Sequence, residues 1–313
     1  MLLPAPADRP TMYFIGVTTG QSSIMKLFPL WAEALGLKDA VIKGIDIEIH
    51  ADPATYIECV EFIKRDPLSL GALVTTHKID LFHAARGSFD EFDAFAEAFE
   101  EVSSISKRGS RLIGHAKDPI TSGLAMEAFI PKGHWAGGGE AFLMGAGGSA
   151  LAIASWLTDP PRGGDVPSKI IVSNRSEPRL RSAEKLLGRI DTPVPFEYVL
   201  CPEPADNDAV LARLAPGSLV VNATGLGKDR PGSPLTDAAA FPDRALVWEL
   251  NYRGELDFMH QANRQKEARS LHVEDGWIYF LHGWTQVIAE VFDLEMTAER
   301  FAACERIAAA QRK

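Results

Sequence analysis

The sequence predicts an α/β protein of two domains, and three observations carry that prediction. Short apolar, β-branched runs alternate with segments of helical spacing along almost the whole chain. A glycine-rich stretch, Gly145 to Ser149, stands where one of the apolar runs should pass into a helix. The chain is 313 residues long, more than one hydrophobic core usually serves.

The first series of elements opens with a short strand, Tyr13–Val17, followed by apolar residues at helical spacing over Met25–Leu37. Val41–Ile49 alternates, with Val41, Ile45, Ile47 and Ile49 on one side of a strand. Asp52 before Pro53 is an N-cap with proline at the first helical position, opening a helix to about Arg65. Ala72–Thr75 is a third strand, and Thr76-His77-Lys78 stands at its end. The phenylalanines at 89, 92, 95 and 99 have the spacing of a buried helix face. This order implies a sheet of parallel strands with helices on both faces. Such sheets bind ligands at the carboxyl ends of their strands, which is where Lys78 sits.

The second series follows the stretch His134–Gly139. Its strands are Phe142–Met144, Lys169–Ser173, Phe196–Leu200, Ser218–Val221 and Ala245–Leu250, as in a doubly wound domain of ordinary size. Asp159–Pro167, rich in proline and glycine, is a surface loop within it. The last two segments, Trp277–Phe292 and Thr297–Gln311, are helical. The apolar face Tyr279–Phe292 suits either a core or a homodimer interface.

Composition narrows the function. A net charge of −10 without a clustered basic stripe argues against nucleic acid as a partner. No apolar run reaches the roughly 18 residues of a membrane span, and MLLPAPADRP lacks the pattern of a signal peptide, so the expected location is the cytoplasm. Cys59, Cys201 and Cys304 are too scattered for a disulfide framework or a zinc site. His50, His83 and His134 have no ligand-like grouping, and no metal is expected.

Gly145-Ala146-Gly147-Gly148-Ser149-Ala150 fits G-x-G-x-x-A between a strand and a helix. In that motif the first glycine allows the tight turn, the second lets the backbone approach a pyrophosphate, and the small last residue lets helix and strand pack closely. Helix-start N–H groups then hold the anion. An NAD site usually has an acidic residue at the end of the next strand, whereas this chain has Asn174-Arg175-Ser176, with Arg179 one turn on. Two guanidinium groups suit a ribose 2′-phosphate, which favours NADP; Glu177 weighs against it.

In order along the chain, several segments resemble the shikimate dehydrogenase family. Ile15-Gly16-Val17 with Gln21-Ser22-Ser23 is similar to its N-terminal glycine and serine motif. Val74-Thr75-Thr76-His77-Lys78 is similar to its V-T-x-P-x-K with one residue fewer, and Gly114-His115-Ala116-Lys117-Asp118 to its G-x-N-T-D. The cofactor half matches better, through the glycine turn, Asn174-Arg175-Ser176 with Arg179, Asn222-Ala223-Thr224-Gly225-Leu226-Gly227, Glu249-Leu250-Asn251-Tyr252 and Asp275-Gly276.

The resemblance implies a catalytic, substrate-binding α/β domain of residues 1–122 completed by helices in 277–313, and a Rossmann-type NADP-binding domain of residues 123–276. It implies reversible reduction of 3-dehydroshikimate to shikimate, a small cyclic hydroxy acid. Lys78 matches the family's acid/base lysine and Asp118 its partner. Ser22 matches one of the family's two carboxylate-binding serines, with Ser23 beside it as a further candidate for substrate binding, Thr75 matches a substrate-contacting threonine, and Tyr252 a tyrosine at the substrate and cofactor mouth. Gly145, Ala146, Gly147, Gly148, Ser149, Asn174, Arg175, Ser176, Arg179, Asn222, Thr224, Leu250 and Gly276 are the implied cofactor contacts. The chemistry agrees, because a nicotinamide supplies hydride and the protein has only to orient the carbinol carbon and move one proton. A lysine whose pKa is brought toward the working pH can do so, with His77 beside it as a tuning group.

The departures cluster on the substrate side. The family's second carboxylate-binding serine falls on Ile24, the proline after it on Met25, and the asparagine before V-T on Leu73. Two further asparagines fall on Ser103 and Ala116. The family's late glutamine falls on Gly283, while Gln286 lies one turn on and shares a helical face with Tyr279 and His282. A site stripped of hydroxyl partners accepts different polyols, so quinate or an amino analogue stands close behind shikimate. The rival expectation is a family-fold protein that binds NADP but has lost turnover and acts as a sensor or regulatory partner.

Overall fold

The computed structural model describes residues 3–158, 163–228 and 230–312, so residues 159–162 of the expected loop lie outside the described ones. The chain divides into two compact units, Met1–Lys117 with Gly283–Lys313, and Asp118–His282. The chain breaks between units lie a few residues from the sequence boundaries at 122 and 277, and they put Asp118 first in the second unit.

The first unit contains β1 (Thr11–Gly16), α1 (Ile24–Ala34), β2 (Val41–Asp46), α2 (Pro53–Arg65), β3 (Ser69–Val74), α3 (Lys78–Ala85), β4 (Glu91–Phe92), α4 (Ala94–Phe99), β5 (Ser104–Arg108) and β6 (Arg111–His115). Its six-stranded sheet has the order β2-β1-β3-β5-β6-β4. β1 pairs in parallel with β2 and β3, and α1 and α2 supply the crossovers that parallel pairs require. As the sequence suggests, Asp52 caps α2, its carboxylate accepting from the Ala54 N–H at 2.8 Å, and Tyr56, Cys59, Val60 and Ile63 form the buried face. These residues join Tyr13, Ile15, Ile45 and Val74 in one core. The C-terminal helix belongs to this unit, with the Trp31 Nε1–H donating to the Cys304 carbonyl at 2.9 Å.

Three expectations change here. The sheet is mixed, because β5 runs antiparallel to β3 and β6. Only Gly109 and Ser110 join β5 to β6, a link that antiparallel strands alone can use, and Gly109 adopts φ +63° at its first position. The second strand stops at Asp46, so Ile45 and Ile47 are buried while Ile49 is 58% exposed. The phenylalanine helix is half right. The Asp93 carboxylate accepts from the Ala96 N–H at 2.7 Å and starts α4, leaving Phe92 in β4 and Phe89 before it. Phe89 and Phe92 still meet, at 4.9 Å between ring centroids, by way of a turn and a strand.

The second unit contains α5 (Asp118–Glu127), β7 (Ala141–Met144), α6 (Gly148–Leu157), β8 (Ile170–Asn174), α7 (Glu177–Leu187), β9 (Phe196–Leu200), α8 (Pro204–Leu211), β10 (Leu219–Asn222), β11 (Leu246–Glu249), α9 (Asp257–Asn263), α10 (Lys266–Arg269) and β12 (His272–Glu274). It ends within α11 (Trp277–Val291), and α12 (Ala298–Gln311) follows in the first unit. The sheet order is β12-β11-β10-β7-β8-β9, with every pair parallel. That is the doubly wound order, in which the winding reverses between β7 and β10 and ligands bind outside the carboxyl ends of those strands. The fold is therefore α/β in both units, and the second is of Rossmann type. Among the described residues no helix is long and apolar enough to cross a membrane.

Candidate functional site

In the first unit the parallel strands β1, β2 and β3 end at one edge, and the predicted residues gather along it. The Thr75 N–H donates to the Ile15 carbonyl at 3.0 Å, and a methyl added to Gly16 would meet the Thr75 Cγ2 at 3.1 Å, so the ends of β1 and β3 are in contact. After Val74 the chain turns through Thr76, which adopts φ +63°, and Lys78 becomes the first residue of α3. A cation at a helix N-terminus faces the positive end of the helix dipole, an arrangement unfavourable by about 0.3–1 kcal/mol.

Ser22 and Ser23 follow β1 at the start of α1, and both are half-buried. Ser103 is different. It is 3% exposed, and its Oγ accepts from the Lys117 N–H at 2.7 Å and lies 3.4 Å from the His115 carbonyl. Its hydroxyl thus ties β5 to the segment after β6. His77 is buried and caps α3, and burial lowers its pKa, so it is neutral at ordinary pH and places no positive charge beside Lys78. Gln286 lines a polar cleft of about 430 Å³ with Arg108, Lys117, Glu290 and Asp293, none of them among the predicted residues. In that cleft Lys117 pairs with Glu290 at 2.5 Å.

In the second unit the predicted cofactor residues converge on the carboxyl ends of β7, β8, β10 and β11. Gly145 adopts φ +114°, and a Cβ there would stand 2.6 Å from the Ala223 carbonyl oxygen, so the turn needs glycine and rests against the loop after β10. Gly147 caps α6, and a Cβ there would meet nothing within 4 Å, which leaves its backbone open to a ligand. Ala146 is buried behind it, and Gly148 and Ser149 supply the first N–H groups of the helix.

β8 ends at Asn174, whose side-chain oxygen accepts from the Ser176 N–H at 2.9 Å and shapes the turn into α7. Arg175 and Arg179 are exposed, and neither forms an ion pair among the described residues. Glu177 is engaged elsewhere, by Arg181 one turn along the helix at 2.5 Å. The pair of arginines therefore faces no competing carboxylate from that side chain. These features fit a phosphorylated dinucleotide, with the glycine turn for the pyrophosphate and two guanidinium groups beside it.

Asn222 is buried, and its side-chain oxygen accepts from the Thr224 N–H and hydroxyl, at 3.1 and 2.6 Å. Gly276 has no room for a side chain, because a Cβ would lie 1.9 Å from the Leu250 carbonyl oxygen. Gly276→Ala is expected to lower stability by about 1–3 kcal/mol, read by urea unfolding, since backbone rather than a movable side chain opposes the methyl. Tyr252 packs against Trp277 and Phe280, with centroids 5.6 and 4.6 Å away.

Glu249, which opens Glu249-Leu250-Asn251-Tyr252 and has no role in the sequence expectations, is the centre of this edge. It is fully buried, and burial pushes its carboxyl up to about 7 despite the donors around it. The available sequence signal was an acid ending the apolar run Leu246-Val247-Trp248.

No family model matches the chain. Among curated proteins it is 32% identical over 187 residues to the shikimate dehydrogenase (NADP(+)) of Symbiobacterium thermophilum, covering 59% of this chain and 60% of that protein. A second relative, from Methylocella silvestris and of the same name, is 26% identical over 287 residues, 91% of each chain. The chain is similar in sequence to these shikimate dehydrogenases. The better-matched alignment spans about three fifths of the relative's length, and the lower-identity one nearly all of it. Two solved structures share the fold: shikimate dehydrogenase from Aquifex aeolicus (TM-score 0.72, 16% identity, 98% of this chain and 99% of that one) and quinate dehydrogenase from Corynebacterium glutamicum in complex with NAD (0.71, 18%, 96% and 99%). Ile24 and Ala116, on which the resemblance places polar residues, are fully buried, and Leu73 is 8% exposed.

Proposed function

We propose that this chain is an NADP-dependent alcohol dehydrogenase that reversibly reduces 3-dehydroshikimate to shikimate or carries out the same reaction on a related cyclic hydroxy acid such as quinate. The observation that carries the reading is the glycine turn Gly145–Ser149 at the switch point, with the unpaired Arg175 and Arg179 at the end of the next strand. The relatives' name, which includes NADP(+), agrees with it.

Bound NADPH would supply the hydride. The chain supplies the rest. Backbone N–H groups at Gly148 and Ser149 hold the pyrophosphate, Arg175 and Arg179 the 2′-phosphate. Lys78 donates a proton to the oxygen of the developing alkoxide and takes it back in the oxidative direction, with Asp118 as its orienting partner. Ser22, Ser23 and Thr75 hold the substrate. The apolar, buried Ile24, Leu73 and Ala116 offer no hydrogen bonds to a hydroxyl, which supports a related acid such as quinate close behind shikimate.

The test is a spectrophotometric panel of shikimate, quinate and related hydroxy acids with NADP and with NAD, beside titration of NADPH binding by fluorescence. Turnover of at least one cyclic hydroxy acid with NADP is expected. NADPH binding without turnover on any member would instead favour a sensor or regulatory protein, and absence of binding would end the reading.

A further inference from the structure

We propose that Glu249 is a positioning residue whose negative charge holds the rim of the NADP site in its binding shape, an inference that rests on the cofactor reading above. The side chain ends β11 and receives three hydrogen bonds. Its Oε2 accepts from the Asn222 Nδ2 at 2.7 Å, and its Oε1 accepts from the Asn251 N–H at 2.8 Å and the Asn251 Nδ2 at 2.6 Å. The two asparagines pass this order outward. Both side-chain amides donate to the Leu226 carbonyl, at 3.2 and 3.0 Å, while Asn222 Oδ1 accepts from Thr224. The loop so fixed, residues 222–227, is the one against which Gly145 turns. On the other side the Gly276 N–H donates to the Asn251 carbonyl at 3.1 Å and Gly276 fits beneath the Leu250 carbonyl. One carboxylate therefore braces the loops after β7, β10 and β11 and the start of α11.

Every bond received by Glu249 comes from a donor, so the network needs an ionised, acceptor-only group. The orientation of Asn222 is fixed by the Thr224 N–H on its oxygen, and it cannot flip to suit a neutral partner without losing that bond. A glutamine at 249 has the same shape but sets an N–H₂ against a donor. The other charges near this carboxyl do not neutralise it. Asp275 beside it is another anion, Glu274 on the neighbouring strand is held by His272 at 2.7 Å, Asn222 on β10 is neutral, and the loop after β10 carries its first charge at Lys228.

The signs with pH run in opposite directions for the site and for the fold. Burial raises the carboxyl to about 7 from 4.5, so the network is complete above pH 7 and is lost as the group protonates below it. The same shift makes the group's contribution to global stability largest below the unfolded pKa, and that contribution is lost as pH rises through 7. A merely structural carboxyl would move stability and cofactor affinity together.

The experiment compares wild type, Glu249→Gln and Glu249→Asp as full chains by NADPH titration from pH 5.5 to 8.5, urea unfolding and hydrogen exchange. Glu249→Gln is expected to weaken NADPH at pH 8 by about tenfold or more with kcat at saturation changed less than KM for NADP. It is also expected to flatten the pH dependence of affinity and to raise exchange in residues 222–227 and 250–252. Titration of the cofactor's own phosphate is common to all three proteins and drops out of the comparison. Glu249→Asp, which keeps the charge and serves if the glutamine variant folds poorly, should retain more affinity. Equal affinity in wild type and Glu249→Gln, or equal loss in the two variants, would overturn the proposal while leaving NADP binding intact. Absence of NADPH binding by the wild type would overturn the proposal and the cofactor reading together.

Discussion

Lys78→Ala is expected to lower kcat by about 10²–10⁴-fold on any active hydroxy acid, the usual worth of a positioned acid/base group. NADPH affinity should stay as it was, because every residue proposed to hold the cofactor lies in the other unit. Lys78→Arg separates proton transfer from charge. An arginine keeps the cation at the head of α3 but does not release its proton at any working pH, so it should be nearly as impaired as alanine if the lysine moves a proton. Restored turnover in the arginine variant would assign Lys78 to electrostatic binding instead. An unchanged kcat in Lys78→Ala would remove it from the mechanism altogether.

The double substitution Arg175→Ala with Arg179→Ala is expected to weaken NADP by about 100-fold while leaving NAD almost unaffected. Each lost charged hydrogen bond is worth about 1.5–3 kcal/mol, and partial screening at an exposed site reduces the pair to the lower end of its sum. The preference for NADP over NAD should fall by the same factor and should decline with added salt in the wild type. Equal weakening of both dinucleotides would mean that the arginines support the adenine end or the fold and not the 2′-phosphate. Glu177 is a useful control, since its engagement by Arg181 predicts that Glu177→Gln leaves the preference unchanged.

The second unit was the more legible of the two. Its strands are short and mainly apolar, and β7, β8, β10 and β11 are buried along nearly their whole length, so each is legible as a run, and the glycine turn fixed where the winding reverses. Only β12 escaped, because His272-Val273-Glu274 has one apolar residue. In the first unit, β5 and β6 are not legible because Ser104–Arg108 and Arg111–His115 carry serine, lysine and arginine and form no apolar run. A hairpin's stability comes from pairing across a tight turn, and that is not written in hydrophobic periodicity. The phenylalanine series misled for a related reason, since residues three apart can meet across a turn as well as along a helix.

At the level of single side chains, residue type located positions better than it located duties. Ser103 stands where the motif puts it, yet its hydroxyl serves the backbone of Lys117. The duty of Glu249 is not legible in the sequence, because a carboxylate inside a sheet acquires meaning only when its donors, Asn222 and Asn251, arrive from two separate segments of chain.

The three cysteines give this protein a set of internal witnesses to its own unfolding. Cys59, Cys201 and Cys304 are buried, and burial drives their thiols up to about 12, 11 and 11, so alkylating reagents have almost no thiolate to find while the chain is folded. Cys59 and Cys304 sit in the first unit and Cys201 in the core of the second. Labelling rate at each sulfur therefore clocks the opening of its own surroundings, and peptide mapping can tell whether a variant, a substrate or a dinucleotide steadies one half of the chain or both.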